Sequence, residues 1–299
     1  MTPKSATLLR AALSANCLFS LATGLIAILA APAVATSLGL GSVGLIQVLG
    51  WGLALFSAGI AWTLARLRLG QAVLISMLDG LWVVTTAPLT LLPGWLSPTG
   101  AGWVLVLAAL VALLAGLQLL GVRRVLRSGA PRGQYRHCVR VESTAEADAL
   151  WRIVRDVPNI ARYSAGLSAS RLEAGQDPAP GAVRVCADIK GRQWAEEIVS
   201  LDDASRAIAF RFRAEAADFP FPFTAMTGGW SVTPSPHGGA YVDIWWIVTP
   251  KARRLGWLVV TLMTVALDTD LPRIVAAMEA AARGEPAPSS HRRPALGYC

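Results

Sequence analysis

Gly102-Trp-Val-Leu-Val-Leu-Ala-Ala-Leu-Val-Ala-Leu-Leu-Ala-Gly-Leu-Gln-Leu-Leu-Gly-Val122 is a run of 21 residues without one charged side chain. A helix needs about 20 mainly apolar residues to cross the hydrocarbon core of a bilayer, so this run is long enough to span. The same character extends upstream. Between Arg10 and Arg123 the only charged side chains are Arg66, Arg68 and Asp79, whereas a water-soluble domain is charged at about a quarter of its positions. Leu9–Ala31, Val43–Ala65 and Ala72–Leu92 are three further apolar segments of spanning length. Pro32 reads as the end of the first, and Arg66 with Arg68 ends the second. Pro93, Gly94 and Pro98 punctuate the turn between the last two. Trp51, Trp95 and Trp103 fall near segment ends, where aromatic belts form at the headgroup level. Residues 1–123 are therefore expected to be an all-α module of four transmembrane helices.

The charge balance divides the chain at the same place. Residues 1–134 hold eight Lys and Arg against the single acid Asp79, while 135–299 hold 19 basic and 18 acidic residues. The excess sits at the ends of apolar segments rather than on a folded surface, so the basic pI reports topology, and no nucleic-acid partner is expected. Lys4 and Arg10 precede the first segment and Arg66 and Arg68 join the second to the third. Arg123, Arg124, Arg127, Arg132 and Arg136 follow the fourth, and the other two loops carry no Lys or Arg. By the positive-inside rule, the expectation is an integral inner (cytoplasmic) membrane protein with both termini cytoplasmic. Lys4 and Arg10, an apolar run and Ala33-Val-Ala35 also have the layout of a signal peptide. The run is long for that, and further helices follow; cleavage would still leave the later part of the chain on the same side.

Two features of this half invite a functional reading. Gly39-Leu-Gly-Ser-Val-Gly44 matches the letters of a dinucleotide fingerprint, but that motif needs a preceding strand and a βαβ unit, and this one lies in a loop between apolar helices. Asp79 is an intramembrane polar residue, costly at that depth unless it faces the bundle interior. Asn16, Gln47, Thr85 and Thr86 are its candidate partners. It is a proton or ligand site, or else a neutral or hydrogen-bonded carboxyl that ties helices together or reaches headgroups from the cytoplasmic end of its helix; the second reading is preferred, because one lone carboxylate makes no pathway. Leu78-Asp-Gly-Leu-Trp82 in its segment resembles small four-helix integral membrane proteins of unknown function, which assigns no activity.

From Tyr135 the chain turns polar. Residues 124–134 form a basic linker that suits an anionic inner leaflet. Tyr135–Ser143 reads as a strand, Glu146–Val157 as a helix stopped by Pro158, and Asn159–Tyr163 as a second short helix. Leu167–Ala174, Ala182–Ile189, Gln193–Leu201, Ala207–Ala214, Thr224–Thr233 and Ala240–Thr249 are strand-length runs separated by turn signals, which implies an antiparallel meander. A long helix from Leu255 to about Arg283 follows, containing Pro272. Residues 285–299, rich in Pro and Ser, are expected to be a disordered tail. The expected fold class is thus a membrane four-helix module plus an α+β helix-grip domain over 135–284, an antiparallel sheet wrapped on a long C-terminal helix.

The motifs Val141-Glu-Ser-Thr-Ala-Glu146, Leu150-Trp151, Val154-Arg-Asp-Val-Pro158, Pro180-Gly181, Trp194-Ala-Glu-Glu-Ile198, Gly229-Trp-Ser-Val-Thr-Pro234 and the Trp245-Trp246 strand occur in that order. Together they resemble the START-like SRPBCC superfamily, and within it the polyketide cyclase/dehydrase group, over about residues 136–283. The resemblance implies a deep, largely apolar cavity between the curved sheet and the long helix. It implies several uses for that cavity, among them lipid or quinone carriage and cyclisation or dehydration of polyketides.

The residues themselves supply no catalytic constellation. His137, His237 and His291 lie on a strand, in a turn and in the tail, and no metal or other cofactor is expected. Cys17, Cys138, Cys186 and Cys299 have no zinc spacing and read as small buried hydrophobes in a reducing compartment. Glu196 and Glu197 are adjacent on a strand and point to opposite faces; one of them, with Arg184, is a weak catalytic candidate. Asp268 and Asp270 are about 200° apart on a helix and form no pair. Ile208, Phe210 and Phe212 share a strand face and, with Trp230, Trp245 and Trp246, are the expected cavity wall, with Ala225, Gly228 and Gly229 leaving room. Gly256–Leu267, flanked by Lys251, Arg253, Arg254 and Trp257, is either the cavity face of the closing helix or an interfacial segment. The expected partners are a hydrophobic small molecule or lipid, and the membrane. Three functions stay open: a membrane-anchored binding module, a cyclase or dehydrase on a membrane-soluble substrate, and a regulatory domain whose cavity has collapsed.

Overall fold

A computed structural model describes residues 5–252, 254–286 and 296–299. The chain divides into two compact units, Met1–Val125 and Leu126–Cys299.

The first unit is built from α1 (Thr7–Leu29), α2 (Ala31–Leu38), α3 (Val43–Arg66), α4 (Leu69–Thr86) and α5 (Pro98–Arg127). Four helices are long and apolar enough to cross a membrane: Thr7–Leu29, Val43–Arg66, Leu69–Leu91 and Pro98–Arg127. The fifth, α2, was not expected. Pro32 sits in its first turn, where a missing N–H costs nothing, so this proline starts a helix as well as following one. Gly39 closes α2 in the left-handed region (φ 75°), and the Ser42 hydroxyl accepts from the Leu45 amide to start α3. The letters of the apparent nucleotide motif are therefore helix punctuation. Small residues let the helices touch: a Cβ on Gly24 would lie 2.9 Å from the Gly50 carbonyl oxygen, and one on Gly121 would lie 2.7 Å from the Leu9 Cα. Arg10 donates to the Leu64 carbonyl at 3.1 Å, so the start of α1 and the basic end of α3 lie together.

The second unit has the expected helix-grip order. β1 (Tyr135–Ser143) is followed by α6 (Ala147–Arg155) and a short 3-10 helix (Val157–Arg162) whose first turn holds Pro158, the proline expected to stop α6. Next come β2 (Leu167–Leu172), β3 (Val183–Asp188), β4 (Gln193–Asp202), β5 (Ala207–Phe212), β6 (Phe223–Pro234) and β7 (Ala240–Pro250). The long helix α7 (Gly256–Ala282) and a two-residue β8 (Leu296–Gly297) complete it. The antiparallel sheet runs β2-β3-β4-β5-β6-β7-β1-β8. Register shifts occur at Leu167/Ala169, Ile198/Ser200 and Phe223/Ala225, and irregularities of this kind bend the strands that carry them. At its far end α7 is tied to β1, where the Glu279 carboxylate accepts from Ser143 Oγ (2.8 Å) and Thr144 Oγ1 (2.5 Å). Ile198, Ile208, Ile244, Leu150 and Met278 are fully buried between the layers.

The tail departs from expectation. Residues 287–295 lie outside the described residues, but Leu296–Gly297 pair with Val141 and Arg140 on the free edge of β1. That register places residue 299 opposite residue 138, and a disulfide joins Cys138 to Cys299 with 5.5 Å between their Cα atoms. These two cysteines are therefore a cross-strand bridge and not the isolated apolar side chains expected of them. Tyr298, one step along, is packed beside the buried His137 with ring centroids 6.2 Å apart. Its hydroxyl is pushed up to about 12 by burial.

Candidate ligand cavity

Strand pairing decides which side chains face α7. In an antiparallel sheet, residues directly opposite each other lie on the same face. One row runs Arg184–Glu196–Phe212–Met226, and the next Phe210–Gly228–Trp246. Cys186 and Trp194 form a third pair on this face. From the helix, Val259, Met263 and Leu267 come forward at spacings of four, one turn apart. Between them lies a cavity of about 910 Å³, mostly apolar in its lining. Its volume is within the range of small-molecule sites, roughly 300–1,000 Å³.

Phe210, Phe212, Trp230 and Trp246 all line this cavity, and so do Arg184 and Glu196. Ile208 shares the inner face through its pairing with Trp230, but it is 2% exposed and packs in the core instead of on the cavity wall. Trp245 is a correction. It stands opposite Cys138 and Gly229 on the outer face, because neighbouring strand residues must point apart. Gly229 contributes backbone to the wall, yet a Cβ there would meet Trp245 Cζ2 at 2.7 Å on that outer side. Gly228 faces the inner row. Ala225 is exposed and does not line the space. The first half of α7 is the cavity-facing helix of the two readings, although Leu255, Leu258 and Leu262 on its other side remain exposed.

One charged group is built into the apolar wall. Glu196 Oε2 accepts from Arg184 Nε at 3.1 Å and also from Nη2, while Glu196 Oε1 accepts from Trp194 Nε1 at 2.6 Å. The guanidinium lies over the Phe210 ring, 4.2 Å from its centroid, and Nη1 reaches the Val157 carbonyl at 3.4 Å. Burial works to discharge Arg184, but the adjacent Glu196 carboxylate outweighs it and holds the guanidinium above its ordinary value. Glu197 points outward and takes Arg211 Nη2 at 2.6 Å. The two glutamates thus have separate partners, and both oxygens of the inner one are already engaged. Cys186 faces the same space, and burial, with the Glu196 charge, pushes its thiol up to about 12. A thiol so hard to ionise is a poor nucleophile.

Sequence reasoning missed the loop that closes the near side. Phe221 lies between two prolines read only as a turn, yet it lines the cavity and meets Trp194 edge-on at 5.1 Å. The alternation Phe219, Phe221, Phe223 was the available signal. Ile160 of the 3-10 helix and Tyr163 just after it also reach the wall. Asp268 and Asp270 diverge as expected: Asp268 lies 3.4 Å from His137 Nε2, and Asp270 pairs with Arg273 at the cavity edge. Among the described residues, no group of three or more His, Cys, Asp or Glu side chains is placed to hold a metal ion.

Asp79 sits elsewhere, inside the first unit. Its Oδ2 accepts from Asn16 Nδ2 (2.8 Å) and Gln118 Nε2 (3.2 Å). Ser20 supports Asn16 and Ser76 supports Gln118. Asn16 was foreseen as a partner. Gln47 is exposed, and Thr85 and Thr86 bond back to carbonyls of their own helix. Gln118 and Ser76 were missed because they look like ordinary polar interruptions of apolar runs.

Residues 136–283, the whole grip from β1 to α7, match the family described as polyketide cyclase/dehydrase and lipid transport. This chain carries a domain of that family. The cyclase/dehydrase domain is also similar to the crystal structure of Ara h 8.0201, at 12% identity and a TM-score of 0.42, covering 51% of this chain and 100% of that one. A search of curated proteins returns no match.

Proposed function

We propose that the cyclase/dehydrase domain holds a hydrophobic small molecule or lipid, and that the four apolar helices anchor it to a membrane in which such molecules dissolve. The observation that carries this reading is the cavity of about 910 Å³, walled by aromatic and aliphatic side chains. Burial of apolar ligand surface there contributes about 25 cal/mol per Å² before association costs. The Arg184–Glu196 pair gives the ligand a polar end to orient against, and its saturated hydrogen bonding favours binding over proton transfer. A collapsed, purely regulatory domain fits poorly with open space of this size.

Ala277 lines the cavity from α7, so Ala277→Phe should fill part of it from a rigid helix. The test is mass spectrometry of what co-purifies with the full chain in detergent. A hydrophobic molecule should accompany the native chain and be depleted at least several-fold from the variant. Equal recovery from both would overturn the reading.

For the membrane we propose the inner (cytoplasmic) membrane with both termini cytoplasmic. The contact of Arg10 with the basic end of α3 supports a single basic end, which the positive-inside rule assigns to the cytoplasm. A cytoplasmic Cys138–Cys299 pair would be kept as thiols by the reducing pool. In intact cells Cys299, the less buried of the two, should therefore accept a membrane-permeant maleimide and resist an impermeant one. Labelling by the impermeant reagent, or a bridge already formed before lysis, would reverse the orientation.

A further inference from the structure

The first unit contains its own cavity, separate from the one above and lined by residues of α1, α3, α4 and α5. It has a volume of about 230 Å³, and Asp79, Trp82, Phe19 and Phe56 contribute to its wall. Asp79 is 4% exposed. Both amide donors that reach it bind the same oxygen, Oδ2. Among the described residues no hydrogen bond or ion pair reaches Oδ1. The carboxylate is thus held by two neutral amides, no ion pair to it occurs among the described residues, and Oδ1 is the oxygen left for a ligand in the cavity that Asp79 lines. A charge taken out of water is costly unless it is paired. A positive charge with a hydrogen to donate would complete the pairing, and the aromatic rings among the lining residues are of the kind that attracts organic cations.

We propose that this cavity is a binding site for a small apolar ammonium ion, a protonated amine carrying an aromatic or short aliphatic group. Asp79 Oδ1 takes the N–H, and Trp82, Phe19 and Phe56 pack the apolar part. A lipid headgroup amine is the wrong source. Asp79 lies ten residues along α4 from Leu69, about 15 Å at 1.5 Å per residue, which is half of a hydrocarbon core roughly 30 Å thick. Headgroups do not sit at that depth, whereas a small amphiphilic amine crosses the hydrocarbon as its uncharged base and is held as the ammonium ion only where a carboxylate pairs it.

The test uses the full chain in a neutral maltoside detergent and a matched pair of probes, 4-fluorobenzylamine and 4-fluorobenzyl alcohol, followed by fluorine NMR line broadening. The amine should bind at least tenfold more tightly than the alcohol, which has the same shape without the charge. Asp79→Asn keeps an oxygen for the Asn16 and Gln118 donors, so it should fold and lose that preference. Thr23 also lines the cavity, and Thr23→Trp should abolish amine binding by occupying the space while leaving the carboxylate in place. Equal binding of amine and alcohol, or an unchanged preference in Asp79→Asn, overturns the proposal. If Asp79→Asn fails to fold, Thr23→Trp decides: loss of amine binding supports the site, and retention overturns it.

Discussion

Both units bury a carboxylate beside open space, and they stabilise it in different ways. Glu196 in the cyclase/dehydrase domain faces a guanidinium, so charge is cancelled locally and the remaining oxygen is taken by Trp194. Asp79 in the helical unit faces only the amides of Asn16 and Gln118. Amides solvate a charge through their dipoles without cancelling it. The first arrangement is electrically closed and suited to holding a shape. The second is complete in hydrogen bonding on one oxygen and open in charge. It follows that Glu196 should be intolerant of losing its charge, and Asp79 tolerant of it.

The largest effect should come from Glu196→Gln, which leaves Arg184 buried and unpaired. Removing one partner of a buried pair costs about 3–5 kcal/mol, so the urea midpoint of the full chain in detergent, read by tryptophan fluorescence, should fall clearly. A smaller loss is expected from Asp79→Leu. It strands the amide donors of Asn16 and Gln118 in an apolar bundle, at about 1–3 kcal/mol, part of which their serine neighbours can recover. Asp79→Asn should stay within about 1 kcal/mol of the native chain, since both donors keep an acceptor. Were Asp79→Asn as costly as Glu196→Gln, the contrast between open and closed charge would fail, and Asp79 would have to be read as half of a hidden ion pair.

Most of the architecture was legible because it rests on local patterns. Tyr135–Ser143 reads as a strand on residues that form one, and α7 differs from its expected bounds by a residue at each end. The cavity wall was legible only in part. Phe210 and Phe212 declare their face by alternation along one strand. The adjacent Trp245 and Trp246 do not, because only one of two neighbours can face inward. The parity was available in Val242, Ile244 and Val248, all buried on one face, against the half-buried Tyr241 and Asp243 on the other. The bridge between Cys138 and Cys299 had no such signal. It spans 161 residues of sequence and exists only because a two-residue strand pairs at one register. Pro32 was misread because proline both ends and begins helices, and the local sequence does not say which.

Once oxidised, that bridge changes the connectivity of the domain. The Cys138–Cys299 bond turns the stretch from 138 to 299 into a covalent ring that contains every strand of the sheet from β2 to β7. A protease that cuts any one exposed turn in this ring would open it without separating the pieces. The nicked domain would still migrate as one species on a non-reducing gel and would fall into two only when thiol is added.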